Sequence, residues 1–585
     1  MDIFSVFTLL GGLALFLYGM NIMSAGLEKL AGSRLESLLK KMTSNPLKGL
    51  LLGLGITAAI QSSSAVTVML VGLVNSGIMQ LSQTVGVIMG SNVGTTVTAW
   101  LLSLAGVEGD AIWVRLLKPS SFAPIIAFIG ILLHMIAKSD KKQNIGSICI
   151  GFAVLMFGME FMSGAVEPLK EMPEFAAALT AFNNPLFGVL IGAVVTAVIQ
   201  SSSASVGILQ ALTLTGNISY GMAIPIIMGQ NIGTTVTAVV SCIGVSKNAK
   251  RVSVIHAAFN LIGTVIFLAV YAIVAATVKP LLFAEAATPI GIAVAHSIFN
   301  IATTLLLLPF SRLLVMLSER IISIKSEEAV EARPVCFLDS RLFATPSIAV
   351  AECNMRSSEM ARTAETAILS ALEYLRTPSA TRRDEILGFE DRLDCFEDAL
   401  GKYLVALSKT DLSDRDTHEV SKMLHAIGNF ERIGDHAVNM LNVADEIDQK
   451  KLSFSDAATR EIEVLNTAIT DILHLTTDAF VAADIDAASK VEPLEQVIDE
   501  LIAEIRSRHI SRLQKGNCTV EMGFVLADLL NNYERVSDHC SNLAVAVIEA
   551  KAQSETGAHA YLQKVKQSYD FNEIFEKYRS TYTLS

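Results

Sequence analysis

One pair of polar motifs occurs twice in strongly apolar parts of the chain, and this duplication constrains the fold more than any other feature. The first copy is Gln61-Ser62-Ser63-Ser64 followed by Asn92-Val93-Gly94-Thr95-Thr96. The second copy is Gln200-Ser201-Ser202-Ser203 followed by Asn231-Ile232-Gly233-Thr234-Thr235, and both of its motifs are displaced along the chain by the same interval. Hydroxyls and amides inside a membrane cost several kcal/mol each unless protein, water or a ligand satisfies them. The duplication therefore predicts one binding site built from two halves.

The motifs also define the candidate binding residues. Serine and threonine occur in membrane helices as small packing residues, but a duplicated run of four polar residues is better explained by binding. The candidates are Gln61, Ser62, Ser63, Ser64, Asn92, Thr95, Thr96 and their equivalents Gln200, Ser201, Ser202, Ser203, Asn231, Thr234 and Thr235.

The repeat is longer than its motifs. Glu28 corresponds to Glu167, and Asn45-Pro46 corresponds to Asn184-Pro185, again at the interval that separates the two Gln-Ser-Ser-Ser motifs. We therefore predict one repeat over about residues 13–137 and a second over about residues 152–278.

The composition places these repeats in a membrane. The chain is 51% hydrophobic with a mean hydropathy of +0.49, yet its charged residues are concentrated in the second part. This division predicts an all-α polytopic membrane protein with a soluble helical domain. Apolar runs near the ~20 residues that a bilayer requires fit residues 3–23, 113–137, 145–163, 252–278 and 288–310.

Two further apolar regions, residues 48–105 and 186–246, are interrupted by Gly, Ser, Thr and Asn. These interruptions predict short half-helices and re-entrant hairpins. Gly94 and Gly233 are expected to permit the helix breaks, because glycine tolerates backbone conformations that other residues avoid.

Equivalent loops of the two repeats carry opposite charge. Residues 24–48 hold five basic residues, whereas residues 163–187 hold only Lys170 among three glutamates. The positive-inside rule then predicts that the repeats are inverted relative to each other. Basic residues after the last span place the C-terminal part in the cytoplasm, so we expect a multi-pass protein of the cytoplasmic (inner) membrane with a transport domain over residues 1–325.

The C-terminal part begins with a predicted linker over residues 326–345, followed by a helical domain over residues 346–553 and a tail over residues 554–585. Six long helices are expected in this domain. The segment from Phe430 to His436 returns as Tyr533 to His539, which predicts a pair of three-helix bundles. The seven cysteines are scattered, so we expect reduced thiols.

The polar motifs are chemically suited to an anion accompanied by cations. Serine hydroxyls, the Gln amide and free N–H groups at half-helix N-termini can donate to an oxyanion, while carbonyls at unwound points can hold a small cation. The net charge of -12 offers no basic surface for nucleic acid, which is not expected as a partner.

The doubled Gln-Ser-Ser-Ser and Asn-x-Gly-Thr-Thr motifs resemble the type II sodium/phosphate cotransporter family over roughly residues 1–320. The resemblance implies Na⁺ as the coupling ion and inorganic phosphate as the substrate. It also implies that Gln61 to Ser64 and Gln200 to Ser203 meet at the substrate and Na⁺ sites, with membrane lipid around the domain.

The C-terminal domain resembles the PhoU family of phosphate-signalling proteins over residues 346–553. In that family, Glu-x-x-x-Asp pairs on adjacent helices bind divalent or iron-type metal clusters, and the spacing places both carboxylates on one helix face. The alternative is a solvated acidic face paired with nearby arginines. The candidate pairs are Glu390/Asp394, Glu431/Asp435, Glu495/Asp499 and Glu534/Asp538.

These inferences favour sodium-coupled phosphate transport regulated by the PhoU-like domain. Two alternatives stay open: a cation-coupled carrier of another small oxyanion such as sulfate or a carboxylate, and a membrane phosphate sensor that transports nothing. An enzyme is not expected, because the chain shows no nucleophile with a base, Walker loop or His-Glu-x-x-His motif. A second copy of the chain or a phosphate-signalling protein could bind through the cytoplasmic domain.

Overall fold

The computed structural model describes residues 3–31, 45–75, 79–106, 119–137, 139–172, 184–278, 280–323, 338–552 and 569–584. Every named element in these ranges is helical, which confirms the all-α prediction. The chain divides into two compact units. The first comprises Met1–Glu331 and Asp339–Ile348, and the second comprises Ala332–Leu338 and Ala349–Ser585.

Twelve α-helices in the described part of the first unit carry the two repeats and the last span. They are α1 (Ile3–Ala31), α2 (Pro46–Ile60), α3 (Ser63–Asn75), α4 (Leu81–Ser103), α5 (Pro119–Ile136), α6 (Asp140–Val166), α7 (Pro185–Ile199), α8 (Ser202–Thr213), α9 (Tyr220–Ser241), α10 (Lys247–Thr277), α11 (Pro289–Leu307) and α12 (Ser311–Ile321). The interval between the two copies of the motifs makes α1, α2, α3 and α4 the equivalents of α6, α7, α8 and α9.

Six segments of the described chain are long and apolar enough to cross a membrane. They are α1, α4, α9 and α10 together with Lys141–Leu169 and Pro289–Ile321, so the protein is a multi-pass membrane protein. The shorter apolar helices α2, α3 and α7 lie where half-helices are predicted, whereas Ser121–Ile136, predicted as part of a full span, is also one of the shorter apolar helices.

In residues 48–105 and 186–246, the structure contains the predicted short helices but not the predicted breaks at Gly94 and Gly233, and the re-entrant hairpins stay a prediction. Helices α4 and α9 run without interruption through Gly94 and Gly233. The two glycines serve close packing instead, since a Cβ atom at Gly94 would lie 2.7 Å from Thr57 Cβ and one at Gly233 would lie 2.4 Å from the Ala193 carbonyl oxygen. Small residues at such crossings let helices approach closely.

A short turn, Ser340–Ala344, packs on the first unit and is called the strap. Asp339, just before it, accepts a hydrogen bond from the Asn75 amide at the end of α3. Arg341 donates to the carbonyl oxygens of Ser241 (2.8 Å) and Ile243 (2.6 Å) at the end of α9. The strap lies within the predicted linker, most of which falls outside the described residues.

The helices of the second unit are α13 (Pro346–Arg376), whose first three residues belong to the first unit, α14 (Ala380–Leu407), α15 (Asp414–Gln449), α16 (Asp456–Ala482), the short α17 (Ile485–Ala488), α18 (Val491–Gln514), α19 (Val520–Ala552) and α20 (Tyr569–Thr581). The six long helices match the predicted ones. Buried aromatic residues form part of the core, as in the edge-to-face contact of Phe430 with Phe480. Helix α20 lies within the predicted tail, and it packs on α18.

Among the cysteines of the described residues, Cys395 differs from the expectation of reduced thiols. Cys395 is disulfide-bonded, whereas Cys149, Cys242, Cys353, Cys518 and Cys540 are free. Spacing along the chain does not report which cysteines the fold brings together.

Candidate functional site

Each Gln-Ser-Ser-Ser motif forms the break between two half-helices. Gln61 ends α2 with φ 59° and Gln200 ends α7 with φ 57°, both in the left-handed region. The backbone N–H of Gln61 donates to the carbonyl oxygen of Thr57, and the backbone N–H of Gln200 donates to that of Thr196, at 2.7 Å in each case. The chain leaves each helix at the same point of the motif, so the repeated sequence produces a repeated backbone break.

The serine after each break begins the next half-helix. Ser62 Oγ accepts a hydrogen bond from the Ala65 amide at 3.1 Å, and Ser201 Oγ accepts one from the Ala204 amide at 3.2 Å. These are N-cap interactions, which satisfy amides that the first helical turn leaves without partners. Helices α3 and α8 therefore both start at the motif.

Both motifs line one cavity of about 350 Å³. All eight residues, Gln61 to Ser64 and Gln200 to Ser203, contribute to its wall, so the structure joins the two halves as the sequence predicted. Helix α1 supplies the rest of the wall with Leu17, Met20, Asn21, Ser24, Ala25 and Glu28, beside Ile60 and Ala65.

The cavity wall combines donors and acceptors from helix ends. The N-termini of α3 and α8 carry partial positive charge, which favours an anion. The C-termini of α2 and α7 end at the same motifs and carry partial negative charge, which favours a cation. An oxyanion and a small cation can therefore be held close together by neutral protein groups.

The Asn-x-Gly-Thr-Thr motifs do not line this cavity, and their Asn and Thr side chains form hydrogen bonds within their own helices. The amides of Asn92 and Asn231 donate to the carbonyl oxygens of Ile88 (2.8 Å) and Ile227 (2.9 Å), one turn earlier in the same helix. Thr95, Thr96, Thr234 and Thr235 also donate to carbonyls of their own helices. A direct role of these residues in ion binding stays a prediction.

Sequence reasoning missed the residues that hold the first break in place. Thr98 Oγ1 donates to Gln61 Oε1 at 2.7 Å, and Thr57 Oγ1 donates to Ser91 Oγ at 2.8 Å. Thr57 and Thr98 recur at the equivalent positions of the second repeat as Thr196 and Thr237. That recurrence was the signal that could have identified them.

In the second unit, the first two predicted acidic pairs face each other across α14 and α15. Oxygens of Glu390, Asp394 and Asp435 lie within 4.8 Å of one another. Burial and the nearby carboxylates of Asp435 and Asp394 raise the pKa of Glu431 to about 7. Burial and the carboxylate of Asp394 likewise raise the pKa of Glu390. We call Glu390, Asp394, Glu431 and Asp435 the first acidic cluster.

Asp499 on α18 faces Glu534 and Asp538 on α19, and we call these three residues, with Glu495 one turn before Asp499, the second acidic cluster. Burial and the neighbouring Asp538 raise the pKa of Asp499. Arginines partly neutralise this cluster, since Arg506 pairs with Glu534 at 2.9 Å and Arg535 pairs with Asp538 at 3.5 Å. The solvated, arginine-paired alternative fits the second cluster better than the first.

His436 and His539 lie near the acidic clusters, and each binds an asparagine. His436 Nδ1 is 2.8 Å from Asn532 Oδ1, and His539 Nδ1 is 3.0 Å from Asn429 Oδ1. Burial and the neighbouring His436 lower the pKa of His539 to about 4. These hydrogen bonds give both histidines a structural role within the bundle.

The fold and the cavity define a multi-pass helical membrane protein with one polar cavity shared by two repeats, which is an architecture of secondary transporters. The chain belongs to the Na+/Pi-cotransporter family, whose model matches residues 15–164 and 170–312. The PhoU domain model matches residues 357–444 and 462–547. These matches confirm both predicted resemblances and place the chain in a family of phosphate transporters rather than enzymes.

Individual relatives agree with this membership. The protein named "Putative inorganic phosphate export protein YjbB" of Escherichia coli (strain K12) is 24% identical over 552 residues, which cover 94% of this chain and 98% of that protein. The uncharacterized protein YqeW of Bacillus subtilis (strain 168) is 32% identical over 314 residues, covering 53% of this chain and 96% of that protein. Sodium-dependent phosphate transport protein 2A of Rattus norvegicus is 36% identical over 98 residues, which cover 16% of this chain and 15% of that protein. No solved structure matches the chain.

Proposed function

We propose that the protein moves inorganic phosphate across the cytoplasmic (inner) membrane in a process coupled to Na⁺. The observation that carries this proposal is the single cavity lined by both Gln-Ser-Ser-Ser breaks. Membership of the Na+/Pi-cotransporter family supports the choice of substrate and of coupling ion.

The cavity residues have distinct roles in this proposal. The serine hydroxyls and the starts of α3 and α8 donate hydrogen bonds to phosphate and replace part of its hydration shell. Carbonyl oxygens at the ends of α2 and α7 hold Na⁺, which offsets the phosphate charge. Asn92, Thr95, Thr96, Asn231, Thr234 and Thr235 keep the breaks in register or contribute to a Na⁺ site.

The names of two relatives differ in what they say about the direction of net flux. The Escherichia coli protein YjbB is named as a phosphate export protein, whereas the Rattus norvegicus protein is named for sodium-dependent phosphate transport without a direction. A coupled carrier runs in whichever direction the combined gradients of phosphate and Na⁺ favour. We therefore propose a reversible carrier whose net direction depends on the gradients.

The proposal is tested with purified protein in proteoliposomes. Uptake of radiolabelled phosphate should follow an inward Na⁺ gradient, cease when K⁺ replaces Na⁺, and reverse when the gradient is reversed. Preferential transport of sulfate would support the carrier of another oxyanion. Saturable phosphate binding without flux would support the non-transporting sensor.

We further propose that the PhoU domain lies in the cytoplasm and regulates transport through a metal ion at the first acidic cluster. Converging carboxylates repel one another, and a divalent or iron-type cation removes that cost, so the donor set fits such an ion. Glu390, Asp394, Glu431 and Asp435 are the proposed ligands. A second copy of the chain or a phosphate-signalling protein is the proposed partner of this domain.

Elemental analysis of the purified protein tests the metal proposal. Metal should be present in the unmodified protein and absent after Glu431→Gln and Asp435→Asn are combined. The matched control combines Glu534→Gln and Asp538→Asn in the second cluster. A metal content no higher than background in the unmodified protein would show that the first acidic cluster is a solvated helix face and not a metal site.

A further inference from the structure

One carboxylate projects into the cavity that both motifs share. Asn21, Ser24 and Glu28 lie at helical spacing on α1, and all three line the cavity. Within the described part of the chain, Glu28 is the only residue of that wall with an ionisable side chain, and its Oε1 atom is buried. A carboxylate in a site for an anion requires a specific explanation.

The repeat makes this placement more informative. Glu167 is the equivalent of Glu28 in the second repeat, and it caps the end of α6. Glu167 is not among the residues that line the cavity, although both Gln-Ser-Ser-Ser motifs are. The binding groups are therefore duplicated, whereas the carboxylate is supplied by one repeat only.

A carboxylate beside an oxyanion is repulsive unless a proton or a cation lies between them. Inorganic phosphate retains at least one proton at neutral pH, and its P–OH group can donate a hydrogen bond to a carboxylate. Sulfate has lost both protons at neutral pH and offers only acceptors. A carboxylate in the cavity wall therefore accommodates phosphate and repels sulfate.

We infer that Glu28 accepts a hydrogen bond from the protonated oxygen of the substrate and thereby makes the cavity selective for protonated oxyanions. The inference rests on the proposed function and names the substrate class of the same site. Sites that hydrogen-bond a substrate hydroxyl strongly reject analogues that lack it, because a buried polar group then loses its partner. Phosphate and arsenate should bind, and sulfate should be excluded.

The test compares the unmodified protein with Glu28→Gln in the proteoliposome assay, with sulfate and arsenate as competitors. The glutamine amide is neutral and can also donate, so it tolerates an unprotonated oxygen. Arsenate alone should compete in the unmodified protein. In Glu28→Gln, the preference for phosphate over sulfate should fall by roughly 10- to 100-fold. The exposed Glu160→Gln on α6 is the matched control and should keep the original preference.

Two results would overturn the inference. One is an unchanged preference in a folded Glu28→Gln protein. The other is a change confined to the Na⁺ concentration dependence, which would make Glu28 a Na⁺ ligand. Glu28→Asp retains the charge and should keep sulfate excluded, so it serves if the glutamine variant does not fold.

Direct binding separates this inference from the proposed function. Titration calorimetry of the detergent-solubilised protein measures phosphate and sulfate affinities without requiring flux. Absence of transport in the unmodified protein would reject the proposed function, and the calorimetric preference would still decide the role of Glu28. Equal phosphate and sulfate affinities in the unmodified protein would contradict the inference.

Discussion

Gln61 and Gln200 adopt the left-handed backbone conformation at the two breaks. This conformation costs a residue other than glycine about 1–2 kcal/mol. Strain of this kind persists where function requires it, and here both repeats retain glutamine where glycine would fit more easily. The glutamine side chains therefore contribute something that the backbone alone does not.

Replacing each glutamine by glycine separates the backbone from the side chain. Gln200 is exposed in the cavity wall, so Gln200→Gly should stabilise the membrane unit by about 0.5–1 kcal/mol after the entropic cost of glycine. Phosphate uptake should fall, because an amide is removed from the site. Thermal unfolding of the solubilised protein and proteoliposome uptake measure the two effects.

Gln61→Gly provides the comparison. The Gln61 side chain donates to the Ala58 carbonyl and accepts from Thr98, and each bond contributes about 1 kcal/mol. In Gln61→Gly, the loss of these two hydrogen bonds should therefore cancel or exceed the stability gained by relieving the backbone strain. Equal stabilisation of the two variants would show that these side-chain bonds add nothing to stability.

At the scale of helices, the crossings of α2 with α4 and of α7 with α9 depend on glycines. A Cβ atom at Gly90 would lie 1.9 Å from the Leu50 carbonyl oxygen, and one at Gly229 would lie 2.0 Å from the Val189 carbonyl oxygen. The two glycines are equivalent in the repeat. Close crossings hold each half-helix against the long helix that supports its break.

Gly90→Ala tests these crossings. The added methyl group must push α2 away from α4, and overpacking of this kind costs about 1–3 kcal/mol or more. Gly55→Ala is the matched control on α2, since nothing lies within 4 Å of its Cβ position. The control should be neutral or slightly stabilising. Thermal unfolding checks both variants, and equal stability would mean that the crossing relaxes at little cost.

The same helices show what sequence can and cannot predict. The duplicated polar run correctly located both breaks and the shared cavity, because four uncompensated polar groups at membrane depth leave few alternatives. Gly94 and Gly233 were misread as break points. A glycine needed for its backbone freedom and a glycine needed for close packing look alike in a sequence, and the neighbour across the crossing distinguishes them. Glu28 was noticed only as a repeat match, because its distance from Gln61 along the chain hides their shared cavity.

At the scale of the whole molecule, the division into a membrane unit and a helical unit followed from composition, and the structure and the family matches agree with it. The inverted orientation of the repeats stays a prediction. Its evidence is the charge of loops that lie partly outside the described residues, and the positive-inside rule needs the membrane itself as the reference.

Cysteine labelling tests the orientation. Single cysteines at Lys40 and Lys170, in a background without other cysteines, should react with an impermeant reagent from opposite faces of the membrane. The expected result follows because equivalent loops of inverted repeats lie on opposite sides. Labelling of both positions from one side would contradict the inverted arrangement.

The last prediction concerns which part of the chain transport requires. The strap belongs to the membrane unit, because Asp339 and Arg341 bind the ends of α3 and α9, which carry or support the two motifs. A chain that ends after Ile348 keeps the strap, and its Na⁺-dependent phosphate uptake should match that of the full protein while its response to cellular phosphate or metal is lost.

A chain that ends near Ser326 removes the strap as well and should be less stable. The two hydrogen bonds from the Arg341 guanidinium contribute about 1.5–3 kcal/mol each, so the melting temperature should fall below that of the longer truncation. Arg341→Ala in the full protein should reproduce most of that fall, with the exposed Arg312→Ala as its control. Equal melting temperatures for the two truncations would show that the strap is only a tether. Loss of uptake in a folded chain that ends after Ile348 would instead make the PhoU domain part of the transport machinery.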